Sequence, residues 1–474
     1  MTQHSLVSSG FSDSIALTDF RSNESLSYRQ LRHAVQEVFE ELRTRVGFPI
    51  ALVRADSSLR AVLAELSLVE NTGIVILHNL SDAEKLRQIF EAFRCNVSIG
   101  DELSFPDFVR IDSSFLGRVQ IVDRYDNDIE TDTALLLATS GSTGVPKFVR
   151  LSRSALAANA RSIRNDLGIV STDVAITSLP ISYSFGLSVL HSHLIAGAQV
   201  ILSDQSIGEA GFWETFAKYR CTSFSGVPYT YQMLKQLRFR PQTYPHLRMM
   251  TQAGGKLGPD LVSHFWALCE TAGAQFRVMY GQTEATARMA IASHEDVGRF
   301  PASAGKAISG SFFEIVGPDG RPSPPFEEGE VVFRGESVML GYAQSHSDLS
   351  RADEFGGRLP TGDIGFLDDE GRLYLTGRAK RIAKVFGIRV SLDEVEMLLS
   401  ESGSIVATSV GESLCLVVEG DVEISDQELL DQVVSNLGVN PRGVFIVRVD
   451  QFPRFDSGKI DYPQLMKGLP DAGS

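Results

Sequence analysis

Residues 139–147 read Thr139-Ser140-Gly141-Ser142-Thr143-Gly144-Val145-Pro146-Lys147, and they directly follow the apolar run of residues 134–138. A short apolar run of this kind predicts a buried strand. Glycines allow backbone N–H groups to turn toward an anion, hydroxyl groups add donors, and a lysine adds a mobile charge. The stretch therefore predicts a polyphosphate-binding loop at the end of a buried strand.

The spacing of this loop differs from that of a Walker A motif, which has four residues between its first glycine and a Gly-Lys-Ser/Thr end. Here the lysine follows Pro146. Clusters of glycine, serine and threonine also occur in flexible surface loops, which is the alternative interpretation. The preceding strand and the Pro-Lys end favour phosphate binding.

The segments around this loop alternate between helical and strand patterns from about residue 26 to residue 300. Helices are predicted over 31–46, 58–69, 83–93 and 154–167, and strands over 50–53, 74–77, 134–138, 174–179, 200–202 and 222–226. The alternation predicts a large α/β domain with a mainly parallel sheet.

Proline and glycine become frequent after residue 300, and short strands such as 329–334 and a hairpin over 366–375 predict an antiparallel, barrel-like subdomain. A small α+β unit follows, with helices over 392–400 and 426–437 and strands over 404–410, 414–418 and 444–449. We place the boundary so that an N-terminal domain spans residues 1–378 and a C-terminal domain spans residues 379–474.

The composition of the 474-residue chain is typical of a soluble globular protein, with 43% hydrophobic and 22% charged residues. The formal net charge of −15 argues against a nucleic-acid binder. We find no apolar run of membrane-spanning length and no signal-peptide pattern. The four cysteines are scattered without a CxxC pair, which indicates reduced thiols and a cytoplasmic protein.

Four further segments carry groups that suit nucleotide chemistry. In the segment 280–285 a tyrosine ring can stack on a base, a hydroxyl can contact phosphate, and a carboxylate can bind Mg²⁺. Asp363 can bind a ribose diol, five cations occur within residues 377–389, and Lys459 follows a tight turn near the end of the chain. Each segment also has an ordinary interpretation as a turn, a solvated basic strand or a solvated lysine.

Together the five segments resemble, in order and spacing, the adenylate-forming (AMP-binding) superfamily of acyl-CoA synthetases, adenylation domains and luciferases, over about residues 10–470. The resemblance implies a large domain that holds ATP and a small carboxylic acid, and a small mobile domain that carries a catalytic lysine. It implies formation of an acyl-adenylate with release of pyrophosphate, followed by acyl transfer to a thiol. ATP and Mg²⁺ are the implied cofactors, and CoA is the implied acceptor.

Two alternatives remain open beside this function. One is a free-standing adenylation enzyme that loads the phosphopantetheine arm of an acyl carrier protein or acylates another nucleophile, such as an amine. The other, from a different class, is a non-catalytic nucleotide-binding protein.

The resemblance also assigns roles to individual residues. It implies that Lys459 neutralises charge between carboxylate and α-phosphate, that Thr283 contacts the α-phosphate, and that Glu284 holds Mg²⁺. It implies a hinge at Lys380. The remaining implied nucleotide-binding residues are Thr139, Ser140, Gly141, Ser142, Thr143, Gly144, Lys147, Gly254, Gly255, Tyr280, Asp363 and Arg378.

The acyl pocket is placed by the same resemblance. In amino-acid-activating members an aspartate binds the substrate ammonium, and the aligned pair here is Tyr183-Ser184, so an α-amino acid is disfavoured because its buried ammonium would lack a counter-ion. Arg288 would suit a second carboxylate or another polar group, unless it points to solvent or pairs structurally. The implied pocket residues are Tyr183, Ser184, Ser188, Thr251, Met279, Ala287 and Arg288.

Overall fold

The computed structural model describes residues 4–101, 103–105, 107–123, 125, 127, 129–138, 147–378, 381–385, 388–399, 402–411, 413–420, 422, 424–437, 439–455 and 460–469. The helices are α1 (Tyr28–Val46), α2 (Leu59–Val69), α3 (Ala83–Ala92), α4 (Arg153–Leu167), α5 (Ser184–Ala196), α6 (Ala210–Lys218), α7 (Pro228–Gln236), α8 (Pro259–Ala272), α9 (His294–Arg299), α10 (Leu392–Leu398), α11 (Asp426–Leu437) and α12 (Tyr462–Lys467).

The strands of the first three hundred residues are β1 (Ile15–Asp19), β2 (Glu24–Ser27), β3 (Ile50–Arg54), β4 (Ile74–His78), β5 (Val97–Ile99), β6 (Val109–Ser113), β7 (Gly117–Ile121), β8 (Thr133–Ala138), β9 (Phe148–Ser152), β10 (Val174–Ile176), β11 (Gln199–Leu202), β12 (Ser223–Gly226), β13 (Met249–Gln252), β14 (Gln275–Tyr280) and β15 (Ala290–Ile291). Those that follow are β16 (Lys306–Ala307), β17 (Phe312–Val316), β18 (Gly329–Arg334), β19 (Gly341–Ala343), β20 (Arg358–Leu367), β21 (Leu373–Arg378), β22 (Ile382–Val385), β23 (Ile388–Ser391), β24 (Ile405–Val410), β25 (Ser413–Glu419) and β26 (Val444–Val449).

Two large mixed sheets form the N-terminal part of the molecule. The first has the order β16-β15-β14-β13-β12-β10-β11-β1-β2, and the strands from β14 to β1 are parallel. The second has the order β19-β9-β8-β4-β3-β5-β7-β6, with a parallel centre from β8 to β5. The predicted α/β class with parallel-rich sheets is confirmed.

The largest hydrophobic core lies between these two sheets and includes residues of α1, α2, α4 and α5. Strands β3 and β4 are buried along almost their whole length, which explains why they are continuous apolar runs rather than alternating ones. Helix α2 is likewise buried on nearly every side. Helices α1 to α4 begin after a polar residue whose side chain accepts a hydrogen bond from the first turn; these capping residues are Ser27, Ser58, Asp82 and Ser152.

Strand β9 corrects the prediction for the segment after the glycine-rich loop. The sequence suggests a loop that leads directly into a helix, whereas Phe148–Ser152 form a strand antiparallel to β8 before α4 begins. Every residue of β9 is buried, including Arg150. A buried strand was not predicted here because the run contains Arg150. Its burial depends on hydrogen bonds to the carbonyl groups of Arg351 and Leu340, which are far away in the sequence.

The sheet that follows residue 300 is antiparallel, as predicted. Strands β17-β18-β20-β21 form one sheet, and the predicted hairpin is the turn between β20 and β21. Beyond it, β24-β25-β26 form a three-stranded sheet, and two hydrophobic clusters here consist of residues from 383 onward. None of the described helices combines the length and apolar composition needed to cross a membrane.

Candidate active site

The carboxyl ends of parallel strands β12, β13 and β14 meet at one edge of the first sheet. Strand β13 leads into Gly254-Gly255, and β14 ends at Tyr280, which is followed by a short 3₁₀ turn at Thr283–Ala285. Helix α5 begins beside them at Ser184. Clefts at the carboxyl ends of parallel strands are common ligand sites in α/β proteins.

Three of the predicted nucleotide-binding residues are joined at this edge. The hydroxyl of Tyr280 donates a hydrogen bond to Asp363 Oδ2, and Arg378 Nε donates to Asp363 Oδ1 at 2.9 Å. Asp363 and Arg378 are direct cross-strand partners on β20 and β21. Burial, and the nearby Asp363 carboxylate, raise the pKa of Tyr280 well above its ordinary value. The carboxylate is therefore held in one orientation by two donors.

A second group links Lys147 with Glu284 through Tyr342. Lys147 Nζ lies 3.3 Å from the centroid of the Tyr342 ring, and the Tyr342 hydroxyl donates to Glu284 Oε1 at 3.1 Å. Tyr342 lies on β19, which pairs with β9 directly after the glycine-rich loop. The sequence analysis missed Tyr342, because its role depends on strand pairing across almost two hundred residues.

The start of α5 contacts both neighbouring segments. Ser184 Oγ lies 3.2 Å from Thr283 Oγ1, within hydrogen-bonding distance. Gly254 has φ +84°, and a Cβ there would lie 2.4 Å from the Tyr183 hydroxyl oxygen. A side chain at this position would therefore meet both backbone strain and a steric clash.

A cavity at this point is lined by six of the predicted residues. They are Tyr183, Ser184, Gly254, Thr283, Ala287 and Arg288, together with Phe185, Ala253, Gly281 and Gln282. The cavity adjoins the group formed by Lys147, Tyr342 and Glu284, because Thr283 lines it and is followed directly by Glu284.

Arg288 is the cation of this cavity and is only 2% exposed. Among the described residues its Nε and Nη1 atoms have no hydrogen-bond partner, and its guanidinium carbon lies 5.0 Å from the centre of the Phe185 ring. Burial lowers the pKa of Arg288 to about 9. The sequence left open that Arg288 points to solvent or forms a structural pair. Its burial excludes the first alternative, and among the described residues no partner of Nε or Nη1 supports the second.

The other predicted pocket residues have different surroundings. Ser188 donates to the carbonyl of Phe185 at 2.7 Å and lines a neighbouring cavity between α4 and α5. Thr251 Oγ1 lies 2.8 Å from Ser225 Oγ on the adjacent strand, and Met279 is buried in the core between the sheets. Gly255 contributes its carbonyl to a hydrogen bond from Gln252 Nε2 at 2.8 Å.

Several predicted residues lie outside the described part of the chain, and the predictions for them stay as predictions. They are Thr139, Ser140, Gly141, Ser142, Thr143, Gly144, Lys380 and Lys459.

The described residues include no cluster of three or more His, Cys, Asp and Glu side chains that could hold a metal by themselves. Glu284 alone nevertheless fits Mg²⁺, which typically binds to one or two carboxylates and takes its other ligands from substrate phosphates and water. The neighbouring lysine suits the same phosphates.

Comparison with known proteins agrees with this arrangement. The model of the AMP-binding enzyme family matches residues 7–343. The chain is 32% identical over 348 residues to a probable CoA ligase of Humulus lupulus, a match that covers 70% of this chain and 65% of that relative. It is also 32% identical over 346 residues to the oxalate–CoA ligase of Arabidopsis thaliana, covering 69% of this chain and 66% of the relative. Each match thus spans slightly less than two thirds of the relative's length.

Among solved structures, o-succinylbenzoate CoA synthetase from Bacillus subtilis in complex with its acyl-adenylate has the same fold, with a TM-score of 0.76 at 23% identity. That similarity covers 97% of this chain and 96% of the other. The family model and the site residues together confirm the predicted relationship, and the chain belongs to the AMP-binding enzyme family.

Proposed function

We propose that this protein activates a carboxylic acid with ATP and Mg²⁺ to an acyl-adenylate, releases pyrophosphate, and then transfers the acyl group to CoA. The observation that carries the proposal is the position of Thr283 between two groups of residues. The next residue in sequence is Glu284, which Tyr342 links to Lys147. Thr283 itself lines the cavity that also contains Arg288. An α-phosphate and an acid can therefore meet at one hydroxyl. The names of the relatives support CoA as the acceptor.

The proposed roles follow from the charges that the reaction brings together. A carboxylate that attacks the α-phosphate is repelled by like charge and must be held in line. Lys147 and residues 139–144 would hold the terminal phosphates, and Glu284 would hold Mg²⁺, which neutralises phosphate charge. Asp363, oriented by its two donors, would bind the ribose, with Tyr280 beside the adenine.

In this proposal the C-terminal unit supplies the catalytic lysine and moves between the two half-reactions. We place its start at residue 379, with a hinge at Lys380, and assign to Lys459 the charge between carboxylate and α-phosphate. Arg454 of this unit already contacts the larger one, since its guanidinium carbon lies 4.5 Å from the centre of the Tyr229 ring. Lys459 would also obstruct the approach of the acceptor thiol, so the C-terminal unit must move away before the second half-reaction.

A direct assay distinguishes CoA from a carrier protein as the acyl acceptor. Incubation of acid and ATP with CoA, or with a phosphopantetheinylated carrier protein, should give a thioester with CoA. A thioester on the carrier protein alone would replace the proposed acceptor.

A cytoplasmic location belongs to the same proposal, and it is supported by four cysteines that are all free and buried.

Lys459→Ala tests the adenylation step. We expect it to reduce acid-dependent exchange of pyrophosphate into ATP by about 10²-fold or more, because it removes a cation from the position where charge develops. ATP should still raise the melting temperature of the variant. Lys467→Ala, which changes an exposed lysine on α12, is the matched control and should exchange normally. Near-normal exchange in Lys459→Ala would contradict the proposal.

A further inference from the structure

The guanidinium of Arg288 differs from the other deeply buried arginines that the structure describes. Arg150 is also buried, but its Nη atoms donate to the carbonyls of Arg351 and Leu340 at 2.7 and 3.2 Å, and Glu354 lies 3.7 Å away. Arg372 pairs with Asp368 at 2.7 Å. By contrast, Nε and Nη1 of Arg288 have no partner among the described residues. Within the described residues, no Asp or Glu lines the cavity to compensate its buried positive charge.

The surroundings of Arg288 supply no neutralising charge. The described residues that line its cavity include hydroxyl groups, an aromatic ring, glycines and an amide, and no Asp or Glu occurs among them. His193, on the same helix as Ser184, is buried, and this burial, together with the positive charge of Arg288, lowers the pKa of His193 to about 4. The imidazole is therefore neutral at pH 7. The ring of Phe185 contacts the guanidinium but carries no net charge.

A buried charge without a counter-ion is costly, and proteins keep such groups where a ligand supplies the missing charge. Guanidinium groups donate charge-assisted hydrogen bonds to carboxylates, and Nε and Nη1 of Arg288 are both available as donors among the described residues. In the proposed function the reacting carboxylate faces the α-phosphate near Thr283. This assignment leaves the guanidinium of Arg288 for a second anionic group on the same acid.

We propose that the substrate acid carries a second anionic group, a carboxylate or a sulfonate, and that Arg288 binds it. This inference rests on the proposed function, since it names the class of acid that the adenylation site accepts. Arg288 is then a residue that determines specificity: it binds the end of the acid that does not react. A monocarboxylic acid of the same length would leave the guanidinium unpaired in a cavity from which water has been displaced.

Pyrophosphate exchange with matched sets of acids tests the proposal. Each set contains a diacid, its monoamide and the monocarboxylic acid of the same chain length, for example succinate, succinamate and butyrate, with malonate, glutarate and sulfoacetate sets beside it. We expect the best diacid to exceed its monoamide in kcat/KM by about 10²-fold or more, because the unpaired buried cation penalises the neutral ligand. The difference should lie mainly in KM.

Variants at Arg288 separate a binding role from a structural one. Arg288→Gln and Arg288→Leu should lose about 10²-fold in kcat/KM for the diacid while keeping or improving activity with the monocarboxylic acid. Arg288→Lys, which keeps the charge but not the planar pair of donors, should retain part of the diacid preference. Equal use of diacid and monoamide by the wild type, or an unchanged diacid preference in Arg288→Leu, would overturn the inference.

Melting temperatures add a readout that does not depend on turnover. Arg288→Leu should melt at a higher temperature than the wild type, because it removes an uncompensated buried charge, whereas Arg150→Leu should melt at a lower one. Addition of the diacid to the AMP-bound protein should raise the melting temperature of the wild type further, but not that of Arg288→Leu. A lowered melting temperature of Arg288→Leu, with undiminished stabilisation by the diacid, would assign Arg288 to structure and overturn the inference.

The two proposals fail in different ways. If no acid promotes exchange but the diacid still stabilises the wild type and not Arg288→Leu, the proposed function fails and the anion site stands. If monocarboxylic acids promote exchange as well as diacids, the function stands and the anion site fails. If no acid promotes exchange and no diacid stabilises the wild type, both are wrong.

Discussion

Tyr342 links Glu284 and Lys147, the residues to which we assign Mg²⁺ and the terminal phosphates. Its hydroxyl donates to Glu284 at 3.1 Å, and its ring faces Lys147. Burial, and next to it the charge of Glu284, raise the pKa of Tyr342, so it remains a donor at neutral pH. Glu284 is thus oriented with one oxygen engaged. Groups that orient a metal-binding carboxylate are worth about 10- to 100-fold in metal affinity or activity.

Tyr342→Phe should therefore reduce exchange by about 10-fold and increase the Mg²⁺ concentration needed for half-maximal rate, because Glu284 loses its donor while the ring beside Lys147 stays. The measurement is the exchange rate as a function of Mg²⁺ at saturating acid. Tyr374→Phe is the control, since its hydroxyl lies near Asp368, away from the site. An unchanged Mg²⁺ dependence would show that Tyr342 does not orient Glu284.

Helix α5 combines complete burial with several polar side chains. His191 Nε2 lies 3.0 Å from Glu65 Oε1 on α2, and His193 Nδ1 donates to the carbonyl of Val189 at 2.8 Å. The helix ends at Gly197, whose φ of +78° gives the left-handed conformation that closes the last turn. The first turn of this helix carries cavity residues, so the packing of α5 determines the position of the cavity in which we propose that the acid binds.

Stability should fall in acid because of His193. Burial lowers its pKa from 6.5 to about 4, so the unfolded chain binds a proton below pH 6.5 that the folded chain does not accept until about pH 4. The free energy of unfolding therefore decreases as the pH falls through this interval, by about 2 kcal/mol at pH 5.

Urea unfolding at pH 7 and pH 5 measures this effect. His193→Gln should reduce the difference in the free energy of unfolding between the two pH values by about 2 kcal/mol. His33→Gln, which alters an exposed histidine on α1, should leave the difference unchanged. An equal difference in all three proteins would mean that His193 takes up its proton without cost in the folded state.

The whole molecule contains separate hydrophobic cores. The main core lies between the two large sheets, whereas the clusters of the C-terminal unit consist of residues from 383 onward. The stacking of Arg454 on Tyr229 joins the two units, and Arg454 also pairs with Glu419 at 3.0 Å inside its own unit. Because the cores are separate, we expect that one unit can move while both remain folded.

Calorimetry should show this organisation as more than one unfolding transition, because separate cores need not unfold together. ATP with Mg²⁺ should raise the melting temperature of the larger unit, to which we assign the nucleotide. Tyr229→Ala should separate the transitions further by removing the contact with Arg454. One transition whose calorimetric and van't Hoff enthalpies agree would contradict the proposed division near residue 378.

Much of the fold was predictable from local patterns. Helix α11 and strand β26 lie where the sequence predicts them, because strong periodicity and apolar runs act over a few neighbouring residues. The segments that carry Thr283, Glu284 and Asp363 were recognisable from their neighbours in sequence, and the nucleotide-binding roles of these residues stay predictions. The family itself followed from these segments.

The sequence by itself therefore determined the α/β class and the family, and it named the residues for which nucleotide binding is predicted. Tertiary structure decided the rest. It made a strand of β9, whose buried Arg150 is satisfied by carbonyls about two hundred residues away, and it placed Tyr342 between Lys147 and Glu284. It also left Arg288 buried without a counter-ion among the described residues. Burial and the pairing of charges depend on contacts between distant segments, and local sequence patterns do not contain that information.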